Sequence, residues 1–337
     1  MGRLPAAESK LFSRSTEDTC SVSLLGIFAT AILPIVAVAA VGVGVGRYKD
    51  VQADALNSIT VYVLAPALVV HSLATSALGG GTILGIVAAV SLFTAVMIAV
   101  GEIVGRVSGQ REPLLGAFVL VVVFPNVGNY GIPLSDFVFG PTGRSVAVLV
   151  TALQGVIVYT VGIYIAARGA DSDPLADMKR VFGVPLVYAV VVALAARYLG
   201  VVPAVDSTLM QTLELVGNAS IPVMLLILGI QLAGVDGDGA LGAVGVASGL
   251  RLLLAPAVAA GIVALVGFEN ATVARAVVLL LATPAAVTPI ILVGAFSERG
   301  DGLAPGEFVS ATVFVTTVAS VLTVTGLIAA LEAGLLV

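Results

Sequence analysis

The sequence predicts an all-α integral membrane protein of ten transmembrane helices in a five-plus-five inverted repeat, with spans 4 and 9 broken in mid-membrane. Three observations predict it. Of 337 residues, 59% are hydrophobic and only 10% charged, too thin a polar shell for a soluble globule of this size. The apolar residues gather into ten runs, each close to the roughly 20 residues a helix needs to cross about 30 Å of hydrocarbon. The longest polar connection divides those runs five from five. An odd number of spans per half makes the second half enter from the opposite side.

Taken in order, residues 1–21 are polar and mixed in charge, lack the apolar core and cleavage site of a signal peptide, and read as a disordered tail. The first five-helix repeat, residues 22–167, holds spans over Val22–Gly46, Ala55–Ser76, Ile83–Gly105, Leu114–Phe139 and Ser145–Ala167. Residues 168–180 form a connector that carries Asp171, Asp173, Asp177 and Lys179. The second repeat, residues 181–337, holds spans over Val181–Leu199, Leu209–Ala233, Ala240–Gly267, Val273–Phe296 and Phe308–Leu331. The loops after spans 1, 3, 5, 7 and 9 carry 8 Lys or Arg, and the opposite loops with the adjoining span ends carry 3, namely Arg144, Arg197 and Arg275. The positive-inside bias puts the first set in the cytoplasm and both termini outside a multi-pass cell-membrane protein. Arg3, Lys10 and Arg14 of the tail narrow that margin to 8 against 6.

Span 4 is interrupted by Phe124-Pro125-Asn126-Val127-Gly128-Asn129-Tyr130-Gly131-Ile132-Pro133, and span 9 by Thr283-Pro284-Ala285-Ala286-Val287-Thr288-Pro289. Each proline removes a donor and clashes with a preceding carbonyl, so neither span is expected to be continuous. Spans 2 and 7 each carry one proline, Pro66 and Pro222. Unwound backbone survives at membrane depth only where protein or a wet cavity satisfies it, so equivalent breaks in two halves mark a binding site. The half-helix N-termini there suit a carboxylate and the carbonyl ends suit a cation. The candidate binding residues are Pro125, Asn126, Asn129, Gly131 and Pro133 in span 4, with Pro284, Thr288 and Pro289 in span 9.

Polar residues within spans need a reason. Arg251 lies about eleven residues into span 8, and either draws an organic anion inward or ties to a carbonyl or to Asp136. Asp136, one turn past Pro133, and Gln154 in span 5 are the candidates for H⁺ or Na⁺ coupling. Glu102 and Arg106 stand one turn apart as a structural pair. Thr312, Thr316, Ser320 and Thr323 share a face of span 10 and read as helix-to-helix glue. His71 reads as a packing group. Asp236 and Asp238 fall in a short loop without the full calcium-loop spacing. The lone Cys20 and lone His71 leave no transition-metal cluster, and no cofactor motif is present. The 15 basic residues are scattered, which sets nucleic acid aside.

Phe124-Pro125-Asn126 followed by Gly131-Ile132-Pro133-Leu134 and Gly140 resembles the fourth span of the auxin efflux carrier family. Thr283 to Pro289 resembles that family's second crossover, and Tyr62 to Ala74 its second span, so the likeness runs from about Leu24 onward. It implies a fold shared with the bile acid/sodium symporters, in which the broken spans cross. Spans 1, 2, 6 and 7 would be a scaffold, spans 3–5 and 8–10 a transport domain, and the protein a homodimer joined through the scaffold. The short connector departs from the long loop of the plant exporters, and Ala285 stands where they place an asparagine. The prokaryotic branch is the nearer match, with carriers of malate, malonate and other small carboxylates.

The expected function is therefore a permease that moves a small organic anion, a carboxylate or auxin-like acid, across the lipid bilayer by alternating access. A sodium- or proton-coupled symporter or antiporter of the bile acid symporter type is the alternative. An enzyme is not expected. The sequence shows no Gly-x-x-x-x-Gly-Lys-Ser/Thr loop for nucleotide hydrolysis, and no paired aspartates or His-Glu-x-x-His helix for an intramembrane protease.

Overall fold

The computed structural model describes residues 26, 29, 32–49, 51, 53–168, 183, 185–233, 241–296 and 304–336. The expected tail, nearly all of the connector and the loop with Asp236 and Asp238 lie outside them. Among the described residues the chain is all-helical, without strands. Its helices are α1 (Leu33–Tyr48), α2 (Ala55–Ala74), α3 (Gly80–Val107), α4 (Leu114–Val123), α5 (Val127–Ala166) and α6 (Pro185–Leu199). They continue as α7 (Thr208–Ala233), α8 (Gly242–Val266), α9 (Ala271–Leu281), α10 (Thr288–Phe296) and α11 (Pro305–Glu332). Six of these, α2, α3, α5, α7, α8 and α11, are long and apolar enough to cross a membrane, whereas α1, α4, α6 and α9 are apolar but shorter.

Both expected interruptions are present, at Phe124–Asn126 between α4 and α5 and at Ala282–Val287 between α9 and α10. The prolines divide the labour in a way that residue type alone does not reveal. Pro125 and Pro284 sit in the unwound segments. Pro289 instead falls at the second position of α10, where the missing N–H has no intrahelical partner to lose, and so starts a helix, whereas Pro133 lies inside α5 behind the π-helical turn Val127–Gly131, which makes room for its ring. α5, which runs on to Ala166, is two helical stretches joined at a sharp bend at Gly140, between the residues expected to end span 4 and to begin span 5. Gly140 has φ 60° and ψ −148°, a conformation open essentially to glycine alone, and Pro141 follows it.

Prolines shape two other helices by widening a turn. Thr60–Leu64 and Leu250–Leu254 are π-helical, each immediately before an Ala-Pro pair, Ala65-Pro66 and Ala255-Pro256. The ring would strike the carbonyl four residues back, and an i→i+5 turn relieves the clash. Pro222, by contrast, is carried inside a continuous α7.

Packing sorts the helices into two groups. In one, α7 packs along α1 and α2, and α6 packs on α2. In the other, α4 is enclosed by α3, α11 and the end of α5, while α8 packs on α3 and α9, and α11 on α8 and α10. The middle of α5 packs on both groups, meeting α2 and α6 on one side and α9 on the other. The core centres on α4 and α9, since Phe118 to Val123 and Ala276 to Leu281 are 0–1% exposed.

Candidate functional site

The two unwound segments meet. The Asn126 N–H donates to the Pro284 carbonyl at 2.8 Å, and the Ala286 N–H donates to the Phe124 carbonyl at 2.9 Å, so that Pro125 and Ala285 face each other as an antiparallel bridge. The backbone that leaves its helices is thereby satisfied by its counterpart. Two further groups fix the junction. Gln154 of α5 donates its Nε2 to the Pro125 carbonyl at 2.6 Å, and the Ala285 N–H donates to Thr316 Oγ1 of α11 at 3.2 Å.

Asn126 sits at the centre of an inverse γ-turn, with φ −79°, ψ 67° and the Val127 N–H donating to the Pro125 carbonyl at 2.9 Å. Its side chain is 6% exposed and its Nδ2 has no partner. The first wide-turn bond of α5 runs from the Gly131 N–H to the Asn126 carbonyl at 2.9 Å. Gly128 and Asn129, ahead of it, line a cavity of about 520 Å³.

The cavity lies between the two helix groups. From one side it is lined by Pro125, Asn126, Gly128 and Asn129, with Thr288 at the start of α10. Thr151, Gln154 and Tyr159 of α5 continue that wall. Asn57 and Tyr62 of α2, Pro185 of α6 and Gln231 of α7 form the facing wall. Gln231 Oε1 is, after Asn126 Nδ2, the second buried polar atom of the lining without a partner. None of the described residues that line the cavity is charged. Asn57 and Pro185 stand in first turns and Gln231 in a last turn, so the mouth is on the side of the loops joining α1 to α2, α5 to α6 and α7 to α8.

On the opposite side the helices are linked by polar contacts. Arg144 grips Asp136 with two bonds of 2.8 and 2.9 Å and reaches across with Nη1 to Asn218 of α7 at 2.8 Å. Beside it, Ser145 Oγ donates to the Ser72 carbonyl of α2 at 3.1 Å, and Arg197 of α6 donates to the Leu78 carbonyl at 2.8 Å.

Of the sequence-predicted site residues, Pro125, Asn126, Asn129, Thr288 and Gln154 line the cavity. Gly131, Pro133, Pro284 and Pro289 are buried in the crossing backbone and shape it without reaching the wall. Two of the predicted residues lie away from the cavity wall. Arg251 does not reach the cavity: it is 0% exposed, lies under the Phe93 ring at 5.7 Å, and spends its guanidinium on backbone carbonyls. Asp136 is also absent from the cavity wall, being held in its ion pair with Arg144. Asn57, Tyr62, Thr151, Tyr159 and Gln231 are lining residues that the sequence does not single out for the site. A signal for some of them exists, since Thr151, Gln154, Gly155, Val158 and Tyr159 repeat at three- and four-residue steps on one helical face.

Other polar groups tie helix ends and helix faces together. Glu102 pairs with Arg106 at 3.0 Å and with Arg168, and Arg168 is 3.5 Å from Glu112, which joins the ends of α3, α4 and α5. Thr312 and Thr316 bond carbonyls of their own helix, and Ser320 Oγ lies 3.1 Å from the Tyr130 hydroxyl, tying α11 to α5. Comparison with known proteins adds one match: the model of a family described as membrane transport protein covers residues 27–328. No curated protein matches the chain significantly.

Proposed function

Because the chain belongs to the membrane transport protein family, the family of the auxin efflux carriers, we propose that it is a secondary transporter moving a small organic anion by alternating access. One observation carries this reading. The N-termini of α5 and α10 converge on a cavity with no charged lining among the described residues, beside the unpartnered amide nitrogen of Asn126. Each N-terminus is worth roughly half a positive charge, so the pair matches a single carboxylate better than two. Tyr62, Tyr159 and Val158 offer an apolar body its place. The substrate class is therefore an amphipathic monocarboxylate.

The architecture we propose has ten spans. At 1.5 Å per residue, the 10 residues of α4 and the 11 of α9 each reach about half of a 30 Å core, which supports reading α4 with the start of α5, and α9 with α10, as two spans crossing at mid-membrane. Spans 1–5 and 6–10 are then inverted repeats. Spans 1, 2, 6 and 7 form a scaffold through which a homodimer assembles, and the rest form the moving body. Alternating access requires the Arg144–Asn218 and Ser145–Ser72 ties to part as the mouth closes.

Uptake into proteoliposomes tests the substrate class. Labelled monocarboxylates are expected to accumulate faster than dicarboxylates of equal size, and organic cations not at all. Selective cation uptake, or no uptake of any carboxylate, overturns the reading. Orientation is tested separately. A cysteine replacing Val337 in a Cys20→Ser background is expected to react with an impermeant thiol reagent in intact cells, as the positive-inside bias requires. Protection until the membrane is permeabilised reverses the orientation.

A further inference from the structure

Arg251 is the one fully buried cation among the described residues, and the cavity does not use it. Its hydrogen-bond acceptors are backbone oxygens at, and just past, the C-terminal ends of the two half-helices α4 and α9. Nη1 donates to the carbonyls of Val122 at 3.1 Å and Val123 at 3.5 Å, the last two residues of α4. Nη2 donates to the carbonyl of Leu281, the last residue of α9, and Nε to that of Thr283 at 2.9 Å. These are oxygens that a helix C-terminus leaves without intrahelical donors. The other late carbonyls of α9 have their own partners, since the Ala282 N–H bonds to Val278 and Leu279 and the Thr283 N–H to Leu280.

Converging carbonyls at a helix break make a cation site. Each C-terminus is the negative pole of a helix dipole worth roughly half a charge, so α4 and α9 together match one guanidinium locally, while its unit charge remains because a dipole carries no net charge. We propose that Arg251 is a tethered counter-ion. It permanently occupies the carbonyl cluster at which a free Na⁺ would bind, and so leaves no coupling ion to be bound or released at the crossing. The carbonyl cluster, not a carboxylate, is what holds the charge: Asp136, the acid that the sequence offers as a partner, is engaged by Arg144. The transporter reading is needed only for the consequence that transport runs without a Na⁺ gradient. The assignment of the site itself rests on the carbonyl geometry.

The test compares purified wild type, Arg251→Met and Arg251→Lys in NaCl and in choline chloride at equal ionic strength. Wild type is expected to show the same Tm in both salts, and in proteoliposomes the same carboxylate uptake with and without a Na⁺ gradient. Arg251→Met leaves four carbonyls facing an empty pocket, and its Tm is expected to fall by roughly 10 °C in choline. Na⁺, or guanidinium at low concentration, is expected to recover part of that fall in a saturable way. Arg251→Lys keeps the charge and loses the planar fork, so its Tm is expected to lie between the two and to ignore Na⁺. A saturable Na⁺ effect on wild type overturns the proposal. So does an Arg251→Met protein as stable as wild type, or one that no cation rescues. Should Arg251→Met not fold, the lysine variant decides, and Na⁺ sensitivity there is the overturning result. The Tm arm uses no substrate, so a failure of the carboxylate reading leaves the counter-ion assignment standing.

Discussion

Asn126→Ala is expected to lower carboxylate uptake by roughly 10- to 100-fold while leaving Tm unchanged or slightly raised. The two directions have one cause. In the empty protein the Asn126 amide nitrogen is buried with no acceptor, and a buried polar group in that state costs about 1–3 kcal/mol. Removing it relieves that cost. A bound carboxylate supplies the missing acceptor, and a hydrogen bond to a charged group is worth about 1.5–3 kcal/mol, which sets the range of the loss. The turn around Asn126 is held by backbone bonds to Pro284 and Gly131, which alanine retains, so the geometry should survive. Asn126→Asp places a negative charge beside the site and is expected to transport less than the alanine variant. Uptake by Asn126→Ala within about twofold of wild type at equal expression would remove the residue from the site, because even the low end of that range predicts tenfold.

The second large effect is on assembly. A Cβ built on Gly229 of α7 would lie 2.0 Å from the Ala39 carbonyl oxygen and 2.8 Å from Gly42 Cα, and one built on Gly42 of α1 would lie 2.4 Å from the Leu226 carbonyl oxygen. All of these neighbours are backbone, so neither helix can yield by turning a side chain. The two helices must move apart, which loses the close packing that substitutes in lipid for a hydrophobic driving force. Gly229→Ala is expected to cost about 1–3 kcal/mol. Gly229→Leu is expected to yield no monodisperse protein in size-exclusion chromatography. Gly44, two residues past Gly42 on α1, has nothing within 4 Å of its would-be Cβ, and Gly44→Ala is the silent control. Equal stability of Gly42→Ala and Gly44→Ala would show that α1 and α7 do not meet as described.

How much of this is legible from sequence depends on the kind of signal. Proline chemistry is local, so the positions of the two breaks can be read, but whether a proline ends a helix or begins one depends on backbone several residues away. Pro289 looks like a breaker by residue type and proves to start a helix, while Pro133 is carried within α5 behind a wide turn. The depth of Arg251 is readable by counting, yet which helices surround it is a tertiary fact, and its partners are carbonyls, which leave no mark in the residue types. Asp136 finds its partner eight residues on, across a bend that Gly140 makes possible. The glycine contact between α1 and α7 is hidden because glycines are frequent in membrane helices, and only their neighbours distinguish Gly42 from Gly44. The cavity wall contributed by Asn57 and Gln231 comes from a helix start and a helix end that meet only through packing.

The buried guanidinium also has an electrical consequence. If the half of the molecule that carries Arg251 is the half that moves, its tethered positive charge travels with it on every stroke. Loaded with one carboxylate, the moving body carries no net charge from this pair and crosses the membrane field freely. Empty, it carries one positive charge, and a potential of about 100 mV acts on that stroke with roughly 2.3 kcal/mol. The voltage would then bear on the return of the empty carrier and not on the passage of substrate. An inside-negative cell would draw the unloaded site toward the cytoplasm, poised to collect acid there.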